Sequence, residues 1–250
     1  MRLHLLLIRH GQSFVNLDDW TGGYIDVGLT PLGRQQAISL GEWLAQNVRI
    51  DALYTSTMAR TLETAQAIVQ ATSVAAQTDD RLREFGNCYA DGLAVPAECM
   101  PVVYADFWGS ERPYAQISDQ GESWMLFRVR VGAFIEDVLE RHGQGPQETT
   151  VVVVCHGGVI DAFFDYAFNV GPHRRVEIWT HNTGIVHWEY IPDSTREPWR
   201  LHAHGLAQHL INCESEWLGS SPMLHGAAKI LPPAPPETGP GPDGAKDSSA

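Results

Sequence analysis

Two stretches place an imidazole and a glycine at the end of an apolar run: Leu5-Leu6-Leu7-Ile8-Arg9-His10-Gly11 and Val151-Val152-Val153-Val154-Cys155-His156-Gly157. Each reads as a buried parallel strand, because strands covered on both faces are apolar throughout. In open α/β sheets ligands bind outside the carboxyl ends of such strands. A histidine there can act as a nucleophile or as an acid–base group, and a guanidinium such as Arg9 offers planar donors to an oxyanion.

Several elements must bring further groups to the same edge. Thr30-Pro31 predicts a helix start, and Ala37, Leu40, Gly41, Leu44 and Val48 recur at helical spacing. Ala52 to Thr55 reads as a short strand, followed by a capped helix over Ser56 to Ala65 whose first turn carries Arg60. A short strand is expected near residues 74–78. Residues 87–120 lose periodicity and hold several Pro, Trp and Tyr; they read as a lid-like insertion over the pocket or as a packed excursion, with a short helix near 102–108.

Ser123 then opens a long helix with Phe127, Val131, Phe134, Ile135, Val138 and Leu139 on one face, ending at Arg141-His142-Gly143. A helix over 158–168 and strand-like segments over 176–179, 184–190 and 199–204 complete the pattern. Strand-helix alternation predicts an α/β fold, a three-layer α/β/α sandwich around a mostly parallel central sheet. It forms a single domain over residues 1–230. The last twenty residues hold six Pro and three Gly and read as a disordered tail over 231–250.

Arg9-His10-Gly11, with Ser13 and Asn16 following, resembles the Arg-His-Gly signature of the histidine phosphatase superfamily, also called phosphoglycerate-mutase-like. The segment Leu29 to Ala37 is similar to that family's loop-to-helix segment. The Ser-containing turn before Arg60 and the Leu82-Arg83-Glu84 segment match further positions in order, and His156-Gly157 completes the set. The resemblance implies the family's fold, with His10 as a phosphate-accepting nucleophile and Glu84 as proton donor.

Arg9, Arg60 and His156, whose imidazole can carry a charge, then clamp the phosphoryl group. Ser13, Asn16, Asn182 and Thr183 correspond to further phosphate or substrate contacts. Gly22 and Gly23 can bring backbone close to a ligand, and Gly11 and Gly157 lie at the turns whose N–H groups face it. The expected reaction is metal-independent phosphomonoester hydrolysis of a small phosphorylated metabolite, with no cofactor. Thr21 to Asp26 is reminiscent of the mutase loop, but Asn87 to Met100 contains no Lys or Arg to hold a bisphosphorylated sugar acid. A phosphoglycerate-mutase-type phosphoryl transferase and a non-catalytic phosphate binder are the alternatives.

Composition bounds the partners. Thirty Asp plus Glu against seventeen Lys plus Arg give a net charge of -13, which argues against a nucleic-acid footprint. Cys88, Cys99, Cys155 and Cys213 show no CxxC spacing, suggesting free thiols in a reducing compartment. The apolar start is too short for a signal peptide, and no run reaches the ~18 apolar residues of a membrane span, so a cytoplasmic location is expected. The eleven His include His202, His204 and His209, without acidic residues at metal-ligand spacing.

Overall fold

The computed structural model describes residues 2–22, 26–100 and 111–211. Its strands are β1 (Leu3–Arg9), β2 (Ala52–Thr55), β3 (Ala76–Thr78), β4 (Thr149–Cys155), β5 (Ile185–Tyr190) and β6 (Trp199–Leu206). They form one sheet in the order β3-β2-β4-β1-β5-β6. β3, β2, β4 and β1 are parallel to their neighbours, whereas β5 runs antiparallel to β1 and β6 antiparallel to β5. The expected mostly parallel sheet therefore carries an antiparallel edge, which the short link between β5 and β6 permits without a crossover helix.

Helices α1 (Pro31–Asn47), α2 (Ala59–Thr72), α3 (Trp124–His142) and α4 (Gly157–Ala167) cover the two faces. Successive side chains of β1 alternate between them, as the two-residue strand period requires. Leu6 and Ile8 pack with Leu40, Leu44, Ala65 and Ile68 of α1 and α2. Leu5 and Leu7 belong to the larger cluster that includes Phe127, Val131 and Phe134 of α3 and Ile160 and Phe163 of α4. Three layers result.

Thr30 and Ser123 cap α1 and α3 as expected, accepting hydrogen bonds from Gly33 N and Leu126 N. α2 differs: its N-terminal neighbour is Met58, which supplies no side-chain cap. Ser56 is already engaged, with Met58 N and His156, so the amide of Ala59 instead donates to Asp26 Oδ1 at 2.7 Å.

The segment 176–179 is not a strand. The Ile178 N–H, which a ladder would need, donates to Asp161 Oδ1 at 2.8 Å, and the segment crosses the sheet's carboxyl edge as a wall. The described part of 87–120 contains a single 3-10 turn, Ala97–Cys99, and isolated bridges. Val95 and Met100 pack on Met58, and Asn87 and Ile117 reach the cavity, so this part serves both as core and as lining. The helix expected near 102–108, Gly23 and the 231–250 tail lie outside the described residues. Among the described residues no helix is long and apolar enough to cross a membrane.

Candidate active site

β1 and β4 are in register, so Arg9 lies beside Cys155 and the turns after both strands leave the sheet together. The His10 amide donates to the Cys155 carbonyl at 3.0 Å, and the two imidazoles meet edge-on with ring centroids 5.2 Å apart. Both are buried. α2 starts four residues after β2 ends and brings Arg60 to the same place.

The tautomer of His10 follows from its partners. Nδ1 lies 2.7 Å from the carbonyl oxygen of Gly11, which can only accept, so Nδ1 carries the proton. Nε2 is then a lone pair, and it receives the Arg60 Nε–H at 3.2 Å. Burial, with the charges of Arg60 and Arg9, holds the His10 pKa well below the ordinary histidine value, so the ring is neutral at pH 7.

His156 pairs with Ser56 Oγ through Nε2 at 3.0 Å. Burial, Arg60 and His10 likewise depress its pKa, so the charge that a second histidine could bring is absent from the resting site. The neighbouring Cys155 thiol is pushed far up by burial, which leaves it inert.

Arg9 Nη1 donates to the Thr180 carbonyl at 2.7 Å. Its Nε, together with Arg60 Nη1 and His156 Nδ1, is buried without a partner. Native structures pair almost all such groups. A tetrahedral oxyanion with several acceptor atoms fits the two guanidinium donors. Glu84 reaches the site from the loop before α3, its carboxylate accepting from Phe85 N at 2.8 Å and Gly158 N at 3.3 Å. A Cβ on Gly158 would stand 2.3 Å from Glu84 Oε1, so only glycine admits the carboxylate here.

Arg9, His10, Arg60 and Glu84 border a cavity of about 360 Å³, whereas His156, packed against His10, is not among its lining residues; the volume is near the lower end of the roughly 300–1,000 Å³ of small-ligand pockets. Arg9, His10, Asn16, Arg60, Glu84 and Gly157 line it, as the sequence pattern anticipates. Other expected contacts do different work. Ser13 is buried and donates to the carbonyl of Gly28, closing the loop after β1. Gly11 packs against α1, where a Cβ would meet the Gly33 carbonyl at 2.6 Å, and Gly22 lies against Trp20. Asn182 and Thr183 bind the backbone of the His10 turn, through Asn182 Nδ2 to His10 O at 3.0 Å and Thr183 N to Arg9 O at 3.0 Å.

Arg130 and Glu122 were not among the expected residues. Every N–H of the buried Arg130 guanidinium is used: two bonds to Glu122, and three to the carbonyls of Arg81, Arg83 and Glu84. Glu122 also accepts from Gly86 N at 2.8 Å. The pair therefore pins both sides of the loop that presents Glu84. The signal lies in the pattern of α3, where Arg130 occupies the apolar face between Phe127 and Phe134. Asp161, within the apolar α4, is the same kind of exception.

The model of the histidine phosphatase superfamily (branch 1) matches residues 5–201. Phosphoglycerate mutase-like protein 4 of Arabidopsis thaliana is 30% identical over 82% of this chain and 86% of its own. Phosphoserine phosphatase 1 of Hydrogenobacter thermophilus is 33% identical over 61% of this chain and 70% of its own. Among solved structures, YhfR of Bacillus stearothermophilus superposes with a TM-score of 0.63 at 26% identity, covering 83% of this chain and 99% of that one.

Two tests follow from the geometry. His10 and His156 titrate near 6.5 when unfolded but well below it when folded, so the unfolded chain takes up protons first on acidification. Their contribution to stability is therefore full above about pH 6.5 and declines below it, by up to about 1.4 kcal/mol per pH unit for each ring. Urea unfolding across this range will show a shallower decline for His156→Asn than for the wild type; equal slopes would contradict the assignment. Arg130→Met strands Glu122 and will cost about 3 kcal/mol in denaturant titrations, whereas Arg130→Met with Glu122→Leu will recover most of it. A single variant as stable as the wild type would contradict this reading.

Proposed function

The chain belongs to the histidine phosphatase superfamily, branch 1, and on that premise we propose that it is a metal-independent phosphomonoester hydrolase. It acts on a small phosphorylated metabolite through a phosphohistidine at His10. One observation carries this reading: a neutral imidazole whose Nε2 keeps the lone pair lines the cavity, beside buried Arg9 Nε, Arg60 Nη1 and His156 Nδ1 atoms that lack partners.

In the first step His10 Nε2 attacks phosphorus, the P–N bond forms and the ester P–O bond breaks. Positive charge developing on the ring is stabilised through Nδ1–H by the Gly11 carbonyl. Phosphoryl transfer depends mainly on positioning and on neutralising the non-bridging oxygens. Arg9 and Arg60 supply planar charged donors for that purpose, and His156 adds a ring nitrogen. Glu84 gives its proton to the leaving alcohol. In the second step Glu84, now a carboxylate, takes a proton from water as the water attacks phosphorus. The P–N bond breaks, inorganic phosphate leaves, and the neutral His10 is restored.

Hydrolysis is favoured over a mutase reaction because Asn87 to Met100 supplies no Lys or Arg to retain a second anionic group. The proposal includes a cytoplasmic location, which Cys88, Cys99 and Cys155 standing as free thiols support.

The test is p-nitrophenyl phosphate hydrolysis in excess EDTA by the wild type and His10→Ala, with acid-labile phosphoenzyme measured alongside. Turnover will persist in EDTA, fall by at least ~10³-fold in the variant, and proceed through phosphoenzyme formed by the wild type alone. Loss of activity in EDTA, survival of activity in His10→Ala, or a phosphoenzyme that forms without net hydrolysis would each contradict the proposal.

A further inference from the structure

The cavity has two unlike halves. The inner half holds His10, Arg9 and Arg60. Beyond them the lining includes Asp161, Glu177, Trp179, Ile178, Phe85 and Ile117. Apart from the proton donor Glu84, the described lining residues include two carboxylates, Asp161 and Glu177, beside the two guanidinium groups that the phosphatase reading assigns to the phosphoryl end. Arg9 already feels Glu84, Glu177 and Asp161 together. Arg174 pairs with Asp161 at 2.5 Å and is not itself among the lining residues. The stretch from Asn87 to Glu111 contributes no Lys or Arg.

Resting on the phosphatase reading, we infer that the leaving group is an amino alcohol: its ammonium is received by Asp161, Glu177 and the Trp179 ring. A carboxylate on the leaving group would meet like charge there, which disfavours it strongly. An ammonium meets opposite charge and, over an indole, an attractive ring quadrupole. The state of Asp161 agrees. Its Oδ1 accepts from Ile178 N and its Oδ2 pairs with Arg174, yet burial still pushes its pKa up to about 6, and a further cation beside it would favour the charged form.

Phosphoethanolamine and phosphoglycolate form a matched pair, similar in size and opposite in the charge carried by the alcohol part. The wild type will hydrolyse phosphoethanolamine with a kcat/KM at least ~10-fold above that of phosphoglycolate. The ratio will shrink in Glu177→Gln and invert in Glu177→Arg, at a position exposed enough to accept either side chain. A wild-type ratio near one or below, or a ratio unmoved by both substitutions, would overturn the inference. Failure to hydrolyse p-nitrophenyl phosphate would instead strike at the phosphatase reading. In that event calorimetric affinities of the two esters for the same protein decide the subsite, equal values overturning it and tighter binding of phosphoethanolamine supporting it.

Discussion

The hydrogen bond from His10 Nδ1 to the Gly11 carbonyl, 2.7 Å long, is the contact on which the site depends. It fixes which nitrogen carries the proton and therefore which nitrogen is free. Reversing the tautomer would turn Nε2 into a donor aimed at the Arg60 Nε–H and remove the lone pair that accepts it. The turn that makes the bond is held from several sides. Asn182 takes the His10 carbonyl, Thr64 Oγ1 takes the Gly11 amide, and Gly11 rests against the backbone of α1. Much of the polar chemistry around the site thus orients one ring, and only part of it can touch a ligand.

The division between legible and hidden residues follows from how each is encoded. His10, Arg9 and His156 stand at the ends of apolar strands, and Arg60 stands in the first turn of the helix after β2; strand-turn-helix patterns are local, so sequence reveals them. Glu84 was legible through its segment. Ser13 and Thr183 match ligand-contact positions of the family pattern, yet Ser13 Oγ bonds the Gly28 carbonyl, and Thr183 Oγ1 bonds the Asn182 carbonyl and His209 Nε2. Glu177 and Trp179 are hidden because 176–179 reads as a strand; only the three-dimensional path shows the Ile178 amide turned to Asp161 instead of to a ladder. Arg130 and Asp161 did leave a trace, as charges on the apolar faces of α3 and α4.

Stability and chemistry are coupled through these buried charges. A paired buried ion contributes little net stability, but removal of one partner is expensive. Arg130 and Glu122 are best understood as an immobilising device: saturated with five bonds, the guanidinium leaves the loop around Glu84 few alternative conformations. The neutral imidazoles carry the opposite cost, since they oppose folding as pH falls. The sheet edge thereby carries the proposed oxyanion site, and the segment crossing it adds Glu177 and Trp179 to the lining.

The most direct measurement is the position of the phosphoryl group on the trapped intermediate, read by NMR of ring-labelled histidine or by mass spectrometry of the phosphopeptide. The hydrogen bond to Gly11 predicts phosphorylation of His10 at Nε2 alone. Phosphate on Nδ1 of His10, or on any other residue, would contradict the account.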